Sequence, residues 1–386
     1  MSALLSRAHA RAPILVAALS AALACKQEAP PPTPGAASAL PVTALPPPPP
    51  SPPPPTAAPG AQAPASFADL AANADPAVVF VKTIQEKKLL AGRRVVGQGF
   101  GSGFVYDSNG LILTNNHVIE SATEISVVFG RTREVSATVV GRDPPTDVAV
   151  LRVEATGLPA LPLGDSDAVR VGDWVVAIGN PFELQHTVSA GILSAKGRTH
   201  QDVRGLDETG YYEFLQTDAS INFGNSGGPL LDTHGRVVGI NTAIRAEANN
   251  IGFAIPINMV KEILPRLLKD GWVRRSKVGV HVASVQPEDA ERLQLGSVVG
   301  ALITHVIPGG PADRAGLRPD DVILEFDDKP VSGAERLRWI ASLAGVGRTV
   351  TLRIARGGRL FETRVTLEEL RQGPLTPPLT PFAPFR

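Results

Sequence analysis

Residues 224–230 read Gly224-Asn225-Ser226-Gly227-Gly228-Pro229-Leu230, and this septet decides how the rest of the chain is read. Glycines on both sides of one serine permit a tight turn that presents a hydroxyl and aims backbone N–H groups into a single hole. Two further segments complete the pattern. Thr114-Asn115-Asn116-His117-Val118 follows directly on an apolar run, and Asp143-Pro144-Pro145-Thr146-Asp147-Val148-Ala149-Val150-Leu151 sets an aspartate at the entrance to another. A hydroxyl becomes a nucleophile when a histidine takes its proton and a buried carboxylate orients the imidazole. Taken singly, each residue has a plainer explanation. His117 alone is a satisfied histidine at a strand end, Asp147 a turn residue, and residues 224–229 a glycine-rich hairpin. Together, in the order His, Asp, Ser, they point to acyl transfer.

The surrounding sequence has the pattern of an all-β domain. From Ser66 to about Pro256, short Val- and Ile-rich runs are broken by Gly, Asn and Asp, among them Ala77–Thr83, Gly103–Tyr106, Ile112–Thr114, Ile125–Phe129, Ala137–Val140, Val148–Val153, Trp174–Ile178 and Val237–Ile240. Such spacing predicts a barrel or sandwich, not alternating βα units. Apolar residues at helical spacing then predict a helix over Ile257–Lys269, ending at Gly271. A second unit from about Val273 to Leu370 reads as a small α+β domain: strands at Val278–Val285, Ala301–Val306, Val322–Phe326, Thr349–Ile354 and Phe361–Leu367, and a helix at Ala334–Leu343. The expected boundaries are 66–258 for the first domain, 259–272 for a linker helix, 273–370 for the second domain and 371–386 for a Pro-rich disordered tail.

Several stretches resemble the HtrA (DegP/DegS-like) serine proteases. They are Gly101-Ser102-Gly103-Phe104, the His117 segment, Leu163-Gly164-Asp165-Ser166, Ile178-Gly179-Asn180-Pro181-Phe182, Gln216-Thr217-Asp218-Ala219, the Ser226 segment, Gly239-Ile240-Asn241-Thr242-Ala243-Ile244 and Gly252-Phe253-Ala254-Ile255-Pro256. The resemblance implies an all-β chymotrypsin-like double β-barrel protease domain followed by a small α+β PDZ domain. It implies His117 as general base, Asp147 as its orienter, Ser226 as nucleophile, and the backbone of Gly224, Asn225 and Ser226 as oxyanion hole. It further implies a substrate pocket at Ser220, Ile221 and Ile244. With Ser220 six residues before Ser226 and no buried charge there, small to medium aliphatic side chains are the expected occupants. The chain departs from the family pattern at Phe223, where Pro is common, in a short loop Arg245–Asn250, in a short segment between the first two strands (about Gln85–Val96), and at Asp320, which replaces a Gly.

In the second domain, Lys277-Val278-Gly279-Val280 resembles the PDZ loop that captures a C-terminal carboxylate, after which the peptide adds as a strand. The segment Pro311–Leu317 resembles a short helix and turn typical of these PDZ domains. The expected partners are unfolded or exposed protein segments, C-terminal peptides at the PDZ domain, and two further copies of the chain in a homotrimer, for which Phe67 and Phe80 are candidate contacts, with ordinary barrel core an equal reading of Phe80. His186, His200, His234, His281 and His305 show no metal-ligand spacing, so no metal and no cofactor is expected.

Composition closes off other classes. The 37 Lys+Arg balance 37 Asp+Glu, with no basic run, which argues against a nucleic-acid partner. Sixteen of the 36 prolines fall between Pro30 and Pro64, so residues 25–65 read as a semi-rigid tether. Ahead of it, Arg7 and Arg11 precede the apolar Ile14–Ala24, a signal-peptide pattern over 1–24. Cys25, the single cysteine, stands where a bacterial lipoprotein is acylated. The expectation is a secreted envelope protein held to a membrane through Cys25. For Cys25 the alternative is a plain signal peptide cut nearby; for the function, envelope protein quality control, the alternatives are a regulatory stress-sensing protease with one membrane-bound substrate and a PDZ-based holdase or scaffold.

Overall fold

A computed structural model describes residues 66–88, 94–130, 132–180, 187–203, 206–222, 224–242 and 251–371. The expected signal, Cys25, the tether, Phe223, Ile244, Arg245–Asn250 and the tail from Gln372 lie outside the described residues.

After a short helix α1 (Ala68–Ala74), six strands close the first barrel: β1 (Val78–Lys88), β2 (Arg94–Asp107), β3 (Leu111–Asn115), β4 (Glu124–Phe129), β5 (Arg133–Asp143) and β6 (Val148–Val153), in the order β1-β2-β3-β6-β5-β4. A one-turn helix α2 (Asn116–Ile119) leaves the end of β3. Six more close the second: β7 (Trp174–Gly179), β8 (Thr187–Arg198), β9 (Phe214–Thr217), β10 (Pro229–Asp232), β11 (Val237–Thr242) and β12 (Gly252–Pro256), in the order β10-β11-β12-β9-β8-β7.

The uninterrupted apolar runs of β3 and β6 are explained by burial on both faces. Ile112, Ala149 and Leu151 pack inside the first barrel with Val79, Val105 and Val127. Their alternates Leu111, Leu113, Val148 and Val150 pack between the barrels with Val176, Ile178, Leu231 and Ile240. This period-two division fixes the register, because a one-residue slip would exchange the two sets. β3 and β6 are neighbours with Asn115 opposite Val148, so the residues that follow β3 and precede β6 meet at one end of the barrel.

The helix α3 (Ile257–Asp270) buries Ile257, Met259, Val260, Ile263 and Leu267 and stops at Gly271, whose φ of 78° suits a left-handed cap. It starts at Ile257, so a boundary at 258/259 cuts its first turn. The second domain has β13 (Ser276–Lys277), β14 (Val280–Ser284), α4 (Pro287–Arg292), β15 (Ala301–Val306), α5 (Pro311–Arg314), β16 (Val322–Phe326), β17 (Lys329–Pro330), α6 (Ala334–Leu343), β18 (Thr349–Arg356), β19 (Arg359–Thr366) and β20 (Glu368–Glu369). Its main sheet runs β14-β15-β16-β18-β19, which leaves one edge of β14 unpaired among the described residues, while β13 pairs β20.

One local expectation changes and two gain detail. Gln85–Val96 is mostly strand: the ladder continues outward to Lys88 opposite Arg94, so β1 and β2 run past the apolar residues that marked them. Asp320 adopts φ 71°, the conformation a Gly would take, which an aspartate tolerates. Arg292 holds it there through Nη1 to Oδ1 at 2.8 Å. Phe80 is only 4% exposed and stacks on Phe100, which is 42% exposed.

Candidate active site

The polypeptide reaches β6 through a 3₁₀ turn, Pro144–Thr146, and delivers Asp147 at φ 58°. The Asn116 N–H and the Asn115 side-chain amide both donate to the Asp147 carbonyl, at 3.1 and 3.0 Å, and tie this turn to the end of β3. The carboxylate is thereby aimed at α2. Its Oδ1 accepts the His117 backbone N–H at 2.8 Å, and its Oδ2 faces His117 Nδ1 at 2.7 Å. Thr242 at the end of β11 adds a hydroxyl 3.4 Å from Oδ2. An anionic acceptor at Nδ1 puts the proton there and leaves Nε2 as the basic nitrogen. Burial alone lowers the His117 pKa, but the hydrogen bond and charge of Asp147, helped by Glu120, outweigh it and raise the value above the ordinary 6.5. The ring stays reachable, with 43% of the side chain exposed.

Ser226 lies at the junction of the barrels. Its carbonyl accepts the Ser102 N–H from β2 at 2.8 Å, and Gly227 N donates to Asn241 O of β11 at 2.9 Å. Gly227 takes φ 86°, and a Cβ there would overlap Ser102 O and Thr114 Oγ1, so no other residue fits beside the serine. Gly224 is also left-handed, at φ 103°. Asn225 behaves differently from the expectation: its N–H is engaged by Asn222 O at 3.0 Å and its side-chain amide by Ser220 O at 3.3 Å. A donor already used inside the turn cannot also face an oxyanion, so Asn225 serves the loop's shape.

Ser102 is a residue the sequence reading left without a role. Its fully buried hydroxyl donates to Gly224 O at 2.5 Å and accepts the Asn180 N–H at 2.8 Å. The signal was present: Gly101-Ser102-Gly103 puts glycines inside a strand pattern, which marks a close backbone approach. Asn241 was also missed; its amide donates to Ile178 O at 3.3 Å and Pro229 O at 2.9 Å, joining three strands of the second barrel.

Ser220 is exposed, with its N–H on Ser189 Oγ at 2.7 Å, and Ile221 packs on the interior of the second barrel. Ile244 lies outside the described residues. In the second domain, Lys277 ends β13, Val278 is buried with its carbonyl on Ala312 N at 2.9 Å, Gly279 turns at φ 85°, and Val280 opens β14. The four residues therefore form a turn that leads into the open strand edge beside α6, where Ala334 N donates to Ser284 Oγ at 3.1 Å. Among the described residues no group of three or more His, Cys, Asp and Glu is arranged to hold a metal ion.

A profile of the trypsin-like peptidase domain matches residues 101–240, and one of the PDZ domain matches residues 274–367. The solved structure of the HtrA-type protease AlgW with a tripeptide aligns at TM-score 0.69 and 38% identity, covering 80% of this chain and 98% of that one. The chain belongs to the HtrA family. HhoA of Synechocystis is 43% identical to this HtrA chain over 289 residues, 72% of each. A Chlamydia trachomatis relative, named as a probable periplasmic serine endoprotease, DegP-like, is 44% identical over 273 residues, 70% of this chain and 54% of that one. The chain thus spans about half the length of the DegP-like relatives it matches.

Proposed function

We propose that this HtrA chain is a serine endopeptidase that cleaves unfolded or exposed segments of proteins in the bacterial envelope. The observation that carries this reading is the pair of contacts from Asp147 to His117, at 2.8 and 2.7 Å, on a segment whose next residue, Val118, meets Gly101 alongside the Ser226 carbonyl. In that reading His117 Nε2 takes the Ser226 hydroxyl proton as Oγ attacks the scissile carbonyl. The Gly224 and Ser226 N–H groups receive the oxyanion, and the proton passes to the leaving amine. Water then repeats the cycle and frees the acyl group. Casein hydrolysis by the wild type and by Ser226→Ala tests this: the wild type cleaves, and the variant loses essentially all cleavage while keeping its melting temperature.

The second domain is proposed to bind peptide C-termini, with Lys277–Val280 around the carboxylate and the peptide strand on the free edge of β14. Binding there is proposed to raise the protease rate, because α6 touches both the peptide groove and the protease domain: Arg338 donates to Glu208 O at 3.0 Å and Gly210 O at 3.1 Å. The structures of AlgW with a tripeptide and with a decapeptide support peptide binding as a property of the fold. A trimer and an acyl anchor on Cys25 complete the proposal. Phe67, tilted on Trp174 at 5.6 Å, is proposed for the trimer contact, and sedimentation as a monomer at micromolar concentration would count against the trimer.

A further inference from the structure

Arg275 is one of the largest fully buried side chains in the described residues, and it belongs to two domains at once. Its backbone sits at the start of the PDZ domain, where its carbonyl accepts the Leu370 N–H at 2.9 Å. The next residue, Ser276, donates its hydroxyl to Ala341 O of α6 at 2.6 Å. The guanidinium, however, enters the protease domain and grips Asp143 with two nitrogens, at 2.6 and 2.7 Å, with side-chain exposures of 0% and 2%. Asp143 Oδ2 also accepts the Thr146 hydroxyl at 2.6 Å. The Tyr211 N–H donates to Pro145 O at 2.7 Å, and the Arg275 guanidinium lies 4.6 Å above the Tyr211 ring. The 3₁₀ turn that delivers Asp147 is therefore held at Asp143 by Arg275 and at Pro145 by Tyr211.

Tyr211 has α6 on its other sides: Trp339 meets its ring edge-on at 5.8 Å, and the Arg338 guanidinium lies 5.4 Å from its centroid. As a stabiliser this arrangement is poor. Two charges are taken out of water, and Arg275 Nε has no hydrogen-bond partner among the described residues, while an apolar pair of similar volume often serves stability as well or better. What the ion pair supplies is direction: a planar fork fixes the carboxylate it grips in distance and angle.

We propose that Arg275 is a positioning residue for Asp147, setting the Asp143–Asp147 turn according to where α6 is seated. The inference rests on the reading of His117, Asp147 and Ser226 as a catalytic triad, and it places part of the PDZ influence at the triad carboxylate. An error of about 1 Å in that carboxylate misdirects the imidazole and costs up to roughly 100-fold in rate without touching substrate binding.

The test uses the full chain. Arg275→Lys keeps the charge and loses the fork. The double variant R275Q/D143N removes both charges, so no uncompensated ion remains buried. Each is assayed for kcat and KM on a peptide substrate, for the rate of Ser226 labelling by a fluorophosphonate, and for thermal unfolding. Both variants are expected to lower kcat roughly 10- to 100-fold with KM within about twofold, and to slow labelling by the same factor. Arg338→Ala, which frees α6 from residues 208 and 210, should lower kcat in the wild-type background and have no further effect in R275Q/D143N, as for parts of one unit. Folded variants with kcat within twofold of wild type, additive effects of Arg338→Ala, or failure of both Arg275 variants to fold would each overturn the proposal and leave Arg275 architectural. A wild type that neither cleaves nor labels would instead overturn the protease reading on which it stands.

Discussion

The Ser102 hydroxyl donates to the Gly224 carbonyl at 2.5 Å, joining β2 of the first barrel to the turn that carries Ser226 in the second. The same strand fixes the Ser226 carbonyl through the Ser102 N–H at 2.8 Å. The serine loop is thus held by the barrel that also holds His117 and Asp147, so the parts of the site share one reference frame although they come from two barrels.

Ser102→Ala should therefore do two things. A buried carbonyl at Gly224 loses its donor, which costs about 1–3 kcal/mol of stability. The loop also loses the contact that orients its carbonyl, so kcat should fall more than KM rises. Thermal unfolding and steady-state kinetics check both, and an unchanged kcat would show that Ser102 is purely structural.

The pH profile follows from the raised pKa of His117. A general base must be neutral, so kcat/KM should rise with pH through an apparent pKa above 6.5. The stability linkage runs the other way. Protonated His117 beside Asp147 contributes stability that is complete below the unfolded pKa of about 6.5 and disappears as pH rises through the higher folded value. Asp147→Asn removes the charge that raises the pKa, so its acid limb should move down while kcat drops by about 10⁴-fold. An acid limb at or below 6.5 in the wild type would contradict the assignment.

Much of this was legible in the sequence because the chemistry sits on short, local signals. β3 and β6 are continuous apolar runs, and His117 and Asp147 flank them at the ends that meet. What was not legible is pairwise and long-range. Ser102 and Gly224 lie 122 positions apart, and Arg275 and Asp143 lie 132 apart. A buried Arg–Asp pair has the composition of an exposed one, so only the fold reveals it. The outward extension of β1 and β2 escaped notice for a different reason: past the barrel, backbone pairing continues without an apolar side to mark it. Asn225 was misjudged because a turn can use its N–H groups internally, and sequence spacing does not say which of them it uses.

Peptide binding at the second domain should depend on Gly279. Its φ of 85° is unfavourable for any other residue, and a Cβ there would lie 2.9 Å from Pro311 Cδ. Gly279→Val should weaken binding of a peptide with an apolar C-terminus by at least about tenfold. Fluorescence anisotropy with a labelled peptide measures it, and an unchanged Kd would move the carboxylate site elsewhere.

Cleavage should fall after small or medium aliphatic residues. With Ser220 and Ile221 proposed to line the substrate pocket, neither offers a carboxylate to a Lys or Arg side chain, and an unpaired buried cation costs several kcal/mol. Mass spectrometry of casein fragments tests this, with mostly basic residues before the cut as the refuting pattern.

In the proposed mechanism His117, Asp147 and Ser226 act as one unit on an acyl group. The most direct measurement is the labelling of Ser226 by a fluorophosphonate, read by intact mass and peptide mapping, in the wild type, His117→Ala and Asp147→Asn. The wild type should form a single adduct, located on Ser226, with both variants slowed at least about 100-fold. An adduct on any other residue, or equal labelling of His117→Ala and wild type, would contradict it.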